Sequence, residues 1–292
     1  MKPSDIALAA GVAVIWGLAF VVSKIGLREL SPAMICALRF VVAAIPCLFV
    51  PKPKIAWSLL IAIGLSLFLA QFLAQNYGLA HGVPPGLMSV IVQMQALFTV
   101  ALAALVLGEW PTRAQIIGLG IAVVGLTMIC GTVGYDFSVQ TFALSMVSPV
   151  AFAIGNLLLR RSGDVKMFDL TAWLSIVPPL PLLVLVFATE GAGPAMHSLL
   201  NVSWAGIACI LFLGIISTSA AYGAWGHLLR SYTAAQVVPF ALLVPFTAAL
   251  SSSMVFGETF GPMRLGGMMI VVAGIAVMLL LGRTRAVPKI AS

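Results

Sequence analysis

Residues 106–126, VLGEWPTRAQIIGLGIAVVGL, return 149 positions later as residues 255–275, VFGETFGPMRLGGMMIVVAGI. Val106, Gly108, Glu109, Gly118, Ile121, Val123 and Gly125 meet identical residues at Val255, Gly257, Glu258, Gly267, Ile270, Val272 and Gly274, seven matches in 21 ungapped positions. Biased composition alone gives roughly two. A looser register, shifted by 136, sets Trp16 and Lys24 beside Phe152 and Arg160. The chain therefore reads as two repeats, residues 1–134 and 135–292.

Working outward, the material of each repeat is apolar helix. Of 292 residues, 62% are hydrophobic and 8% charged, and the mean hydropathy is +1.15. So few charges cannot cover a water-soluble protein of this size. Ten runs are long enough to span a bilayer: 5–27, 32–51, 56–78, 84–107, 113–133, 140–160, 168–189, 203–227, 234–256 and 263–282. Backbone groups in lipid must pair internally, which makes these runs helices, and the alternating segments of a barrel are absent. The first run is too long for a signal-peptide core and lacks a small-x-small cleavage site, so it is retained. The expected class is an all-α polytopic membrane protein of ten transmembrane helices. Five helices per repeat is an odd number, so the second repeat enters the membrane upside down.

The net charge of +7 is topological and does not point to a nucleic-acid partner. With a cytoplasmic N-terminus the inner cations are Lys2, Lys52, Lys54, Arg113, Arg160, Arg161, Lys166, Arg230, Arg283, Arg285 and Lys289, against Lys24, Arg28 and Arg264 outside. That imbalance places both termini in the cytoplasm.

Inverted repeats meeting at the midplane are a secondary-transporter architecture. A face of neutral polar and aromatic residues at helical spacing supplies the expected cavity. It comprises Trp16 and Phe20 in span one, Gln71 and Gln75 in span three, and Gln93 and Gln95 in span four. Span six adds Phe152 and Asn156, and span eight Tyr222 and Trp225. Trp16, Gln71, Gln93, Asn156, Tyr222 and Trp225 are the expected substrate contacts, with Phe20, Gln75, Gln95, Phe152 and Arg39 as further cavity candidates. Interhelical hydrogen bonding is the competing reading of each amide, and plain packing of each aromatic. Arg39, about 10 Å from the outer end of span two, is expected to snorkel outward or bond backbone carbonyls, with a substrate carboxylate as the other reading. Pro149, Pro239 and Pro245 interrupt spans six and nine and are candidate hinges.

Glu109 and Glu258 stand at span boundaries, where they are expected to cap the following helices. A proton site is the other reading. Gly118, Gly125, Gly267 and Gly274 suit close helix contact, and a homodimer surface is their second reading. Cys36, Cys47, Cys130 and Cys209 form no disulfide framework, and no metal or cofactor motif occurs. An intramembrane enzyme would need paired carboxylates, a Ser/His pair or metal ligands at one depth, so the chain is read as a carrier rather than an enzyme. A receptor or scaffold has no evident use for inverted halves.

Ile15-Trp16-Gly17, Leu38-Arg39-Phe40, Gly108-Glu109 and Gly257-Glu258 in a duplicated ten-span chain resemble the drug/metabolite transporter superfamily, EamA type. Gln71-Phe72, Pro85-Gly86-Leu87, the run Val92 to Thr99, Gly155-Asn156, Tyr222 to Gly226 and Leu242 to Pro245 are similar to the branch exporting O-acetylserine, cysteine and other amino-acid metabolites. Aromatic amino-acid exporters are more distant cousins. The resemblance implies a bacterial inner-membrane carrier with a cavity built from spans one, three, four, six, eight and nine. The expected function is alternating-access export of small neutral or zwitterionic metabolites. Amides would meet the ammonium and carboxylate while aromatics cover the apolar part. Export of other amphipathic metabolites or drugs is the alternative within the class.

Overall fold

Local chemistry sets the helix starts. Ser31, Ser138 and Ser203 accept hydrogen bonds from the backbone N–H three residues on, and Thr112 with Gln115 forms a reciprocal capping box. Proline, whose missing N–H is needed by no acceptor in a first turn, opens other helices. The computed structural model describes residues 1–281 apart from Val133, Tyr135 and Asp164, and without the side chains of Ala234 and Ala235. The expected inner cations Arg283, Arg285 and Lys289 therefore lie outside the described residues.

Among the described residues, nine helices are long and apolar enough to cross a membrane: α1 (Pro3–Gly26), α3 (Trp57–Ala80), α4 (Pro85–Leu107), α5 (Arg113–Cys130), α6 (Val139–Ser162), α7 (Met167–Glu190), α8 (Trp204–Ser231), α9 (Val238–Phe256) and α10 (Pro262–Leu281). The tenth, α2 (Pro32–Leu48), is shorter. Its end falls three residues before the expected one because Pro46 cannot continue the α-helical ladder and the chain tightens over Ile45–Leu48. Its span is about 26 Å at the helical rise, at the short limit for a bilayer. The protein is thus an all-helical polytopic membrane protein. A nine-residue helix, Ala192–Leu200, unforeseen in the sequence, links α7 to α8.

Several spans are not regular. Turns widen to the π type at Gly64–Ala70 in α3 and at Phe212–Ala220 in α8. The ladder breaks at Met94 in α4, at Met146 in α6, between Ser175 and Pro178 in α7, and at Leu242 in α9. Pro149 and Pro245 lie in the first turn after their breaks, and Pro239 begins the tight turn of α9. Gly108 and Gly257 end α4 and α9 in the left-handed conformation, at φ 67° and 65°, where an L side chain is strained.

Packing explains the repeated glycines. A Cβ on Gly118 would sit 2.5 Å from Gly274 O, and one on Gly125 would sit 2.6 Å from Gly267 O. Because 118 faces 274 and 125 faces 267, α5 and α10 run antiparallel with backbones in contact. These glycines thus serve a contact within the chain. Two large apolar cores result. One joins α2, α3, α7 and α8 around Phe40 and Phe68; the other joins α1, α4, α5, α9 and α10 around Met88 and Ile91. Large apolar side chains such as Leu105, Leu180 and Leu250 point outward, as lipid contact requires.

The expected capping role of Glu109 and Glu258 is corrected here. Glu109 pairs with Arg160 at 2.8 Å, and Glu258 pairs with Lys24 at 3.0 Å while accepting from Ser252. The next helices need neither carboxylate, since α5 has its capping box and α10 opens on Pro262.

Candidate functional site

A cavity of about 470 Å³ lies between the two cores. The irregular turns build its wall. Pro245 has no N–H for the carbonyl of Ala241, four residues back. Gln93, beside the break at Met94, donates Nε2 to that oxygen at 2.9 Å. On the far side of the same break, Gln95 Oε1 accepts from Asn156 Nδ2 at 3.4 Å, tying α4 to α6. In α8 the wide turns let Thr218 and Ser219 donate to carbonyls five residues back, at Leu213 and Gly214. Ser217 O accepts from Trp16 Nε1 at 3.2 Å.

Aromatic rings form the opposite surface. Trp16 meets Tyr222 and Trp225 with centroids 5.4 and 5.1 Å away, and Phe68 lies 5.9 Å from Tyr222. Phe20 and Phe152 complete the lining from α1 and α6. All eleven side chains expected at a cavity line this one, from both halves of the sequence. Gln71 and Gln75 are 2% and 3% exposed and make no side-chain hydrogen bond among the described residues. The three prolines lie outside the lining, at the breaks.

Arg39 departs from its expected outward path. It is buried, and Nε donates to Thr218 Oγ1 at 2.9 Å while Nη2 donates to Ser217 Oγ at 3.4 Å. Its Cζ stands 4.0 Å from the Phe72 ring centre. Hydroxyls and an aromatic face at its own depth remove the need to snorkel. No Asp or Glu lines the cavity among the described residues, nor do they include a His, Cys, Asp and Glu cluster fit for a metal.

The cavity lining extends to one membrane face. Gln115, Leu159, Met167, Leu229 and Leu279 line it at the membrane face carrying the N-terminus. At the other face Lys24, Glu258 and Ser252 join α1 to α9. Glu29 adds a tie from the α1–α2 connection to the start of α8, accepting from Ser203 N and Oγ at 2.8 and 2.6 Å.

The model of the EamA-like transporter family matches residues 4–131 and again 141–280. The chain belongs to the EamA-like transporter family. This EamA-like transporter is 34% identical over 282 residues to a Salmonella typhimurium protein named "Probable amino-acid metabolite efflux pump", covering 94% of each chain. It is 30% identical over 299 residues to an Escherichia coli K12 protein of the same name, covering all of both. A solved structure titled "Crystal structure of protein" superposes with a TM-score of 0.61 at 14% identity, covering 97% of this chain and 98% of that one, a likeness of fold.

Sequence reasoning missed several parts of the EamA-like transporter's cavity wall. Thr99 and Gln115 line it, and Ser217 accepts from both Trp16 and Arg39. Ser217 opens the hydroxyl run Ser217-Thr218-Ser219, which reads equally as bonding within its own helix, so only the widened turn of α8 marks its role. Thr99 shares a helical face with Gln95, four residues earlier, a signal available in the sequence.

Proposed function

We propose that this transporter exports small amino-acid-like metabolites by alternating access between two inverted five-helix repeats, residues 1–134 and 135–292. The carrying observation is the cavity, where amides and aromatic rings from both halves converge at helix breaks. Such breaks expose backbone carbonyls and polar side chains only where protein or water can meet them. The names of the two efflux-pump relatives support the substrate class.

Pseudo-symmetry supports the inversion. The breaks at Met94 and Leu242, the wide turns beginning at Gly64 and Phe212, and the left-handed Gly108 and Gly257 recur at nearly one spacing. The matched helices α5 and α10 lie antiparallel. With both termini cytoplasmic, the face that the cavity lining reaches is the cytoplasmic one, the side from which an exporter loads. Trp16, Gln71, Gln93, Asn156, Tyr222 and Trp225 contact the substrate, and the repeats rock about them with Pro149, Pro239 and Pro245 at the bends.

Counterflow in proteoliposomes tests this reading with labelled O-acetylserine, cysteine, threonine, methionine and aromatic amino acids. Saturable exchange of at least one is expected, and exchange of none overturns the proposal.

A further inference from the structure

Two buried groups in the cavity have hydrogen-bonding capacity that the protein does not use. A guanidinium carries five N–H donors. At Arg39 only Nε and Nη2 bond within the protein, both to neutral hydroxyls, and Nη1 has no acceptor among the described residues. Among the described residues, no carboxylate lines the cavity to balance the charge. Gln71 precedes Phe72, the residue whose ring lies against Arg39, and Gln71 Oε1 is buried without a partner. A cation without a counter-ion and an acceptor without a donor are both costly in a low dielectric.

We infer that Arg39 and Gln71 form the head-group site for an α-amino acid, the guanidinium taking its carboxylate and Gln71 Oε1 accepting from its ammonium. This rests on the exporter reading above and narrows it, since amide-only recognition gives way to a charged anchor at one end. Ser217 places the remainder of the ligand. Its Oγ accepts from Arg39 and its carbonyl from Trp16 Nε1. A carboxylate on Arg39 therefore directs the amino-acid side chain toward Trp16, Tyr222 and Trp225. Arg binds a carboxylate through parallel N–H bonds, so a ligand without a free carboxylate leaves the charge unpaired. A ligand without the ammonium leaves only the neutral Gln71 oxygen unpaired, a smaller loss.

The test uses wild-type protein in proteoliposomes exchanging a labelled amino acid that it carries. Competitors are that amino acid, its methyl ester, its decarboxylated amine and its deaminated acid. Ester and amine are expected to compete at least about tenfold more weakly than the amino acid, with the deaminated acid between. Arg39→Gln should erase the preference for free acid over ester. Gln71→Leu should weaken the amino acid to the level of the deaminated acid and leave the latter unchanged. An ester as effective as the amino acid on wild-type protein overturns the assignment while exchange itself stands. Exchange of no amino acid overturns the exporter reading and this site with it. Because the ester and amine comparisons need no variant, misfolding of Arg39→Gln leaves the test intact.

Discussion

Gln93 shows how a single side chain compensates a backbone defect. Proline at 245 cannot donate to Ala241 O in the α-helical ladder; that carbonyl keeps a backbone donor at the end of the tight turn, and Gln93 Nε2 adds a second from another helix. Gln93→Leu is expected to remove that bond between the helices and to lower stability by about 1 kcal/mol. Pro245→Ala restores an N–H within α9, so the double variant should recover part of the loss. Thermal unfolding of the two single variants and the double one measures the coupling. A second residue-scale prediction concerns pH. Glu29 lies outside the spans, and hydrogen bonds from the Ser203 hydroxyl and backbone hold its carboxyl below the usual carboxylate range. A lowered folded-state pKa gives stability that is present at neutral pH and vanishes as pH falls through the lowered value. Wild type should therefore melt above Ser203→Ala at pH 7, and the gap should narrow as pH falls through the lowered value, leaving only the pH-independent loss of the α8 cap. Helical spacing identified Gln93 and its neighbours, but Arg39's hydroxyl partners come from a helix 178 residues away, beyond any local pattern.

The α5–α10 pair makes the strongest claim at the scale of elements. Their glycines stand where a Cβ would strike the opposing backbone, while Gly120 on the same helix meets nothing within 4 Å. Gly118→Leu should cost about 1–3 kcal/mol through overpacking, and Gly120→Leu close to nothing. Yield and melting temperature of the two variants in detergent decide it. Breaks form the other half of the element story. Pro149→Ala should let α6 run straight through Met146 and reduce exchange several-fold, with the protein still folded. Unchanged rates would remove its hinge role. Both sets of features were legible in part: the heptad glycines and the prolines announce themselves. The break at Met94 and the wide turns in α3 and α8 do not, because no proline marks them and the polar residues beside them, Gln93, Gln95 and Ser217 to Ser219, are compatible with an unbroken helix.

Across the whole molecule, the cavity lining reaches the ends of five helices at one face, while Lys24, Glu258 and Ser252 tie α1 to α9 at the other. The side chains of Lys24 and Glu258 are 25% and 15% exposed, against 50% and 55% for Arg160 and Glu109. Desolvated partners lose more when one is removed. Glu258→Gln should therefore shift the population toward opening at the Lys24 face. In a cysteine-free background, Ser251→Cys should then react several-fold faster with an impermeant maleimide applied at that face. Unchanged labelling would deny this pair a role in closure.

Composition and apolar run length, by themselves, determined an all-helical membrane protein, because lipid offers a backbone no partner outside its own helix. The duplicated Gly-Glu motifs and their flanking residues carried the family. Periodicity also marked the helix faces that the cavity exposes, since spacing of three or four residues is local. Only the tertiary structure decided where charge goes: Arg39 inward to α8, Glu109 and Glu258 onto cations of other helices. Those choices depend on which polar atoms meet at one depth after the helices pack, a relation that no single helix contains.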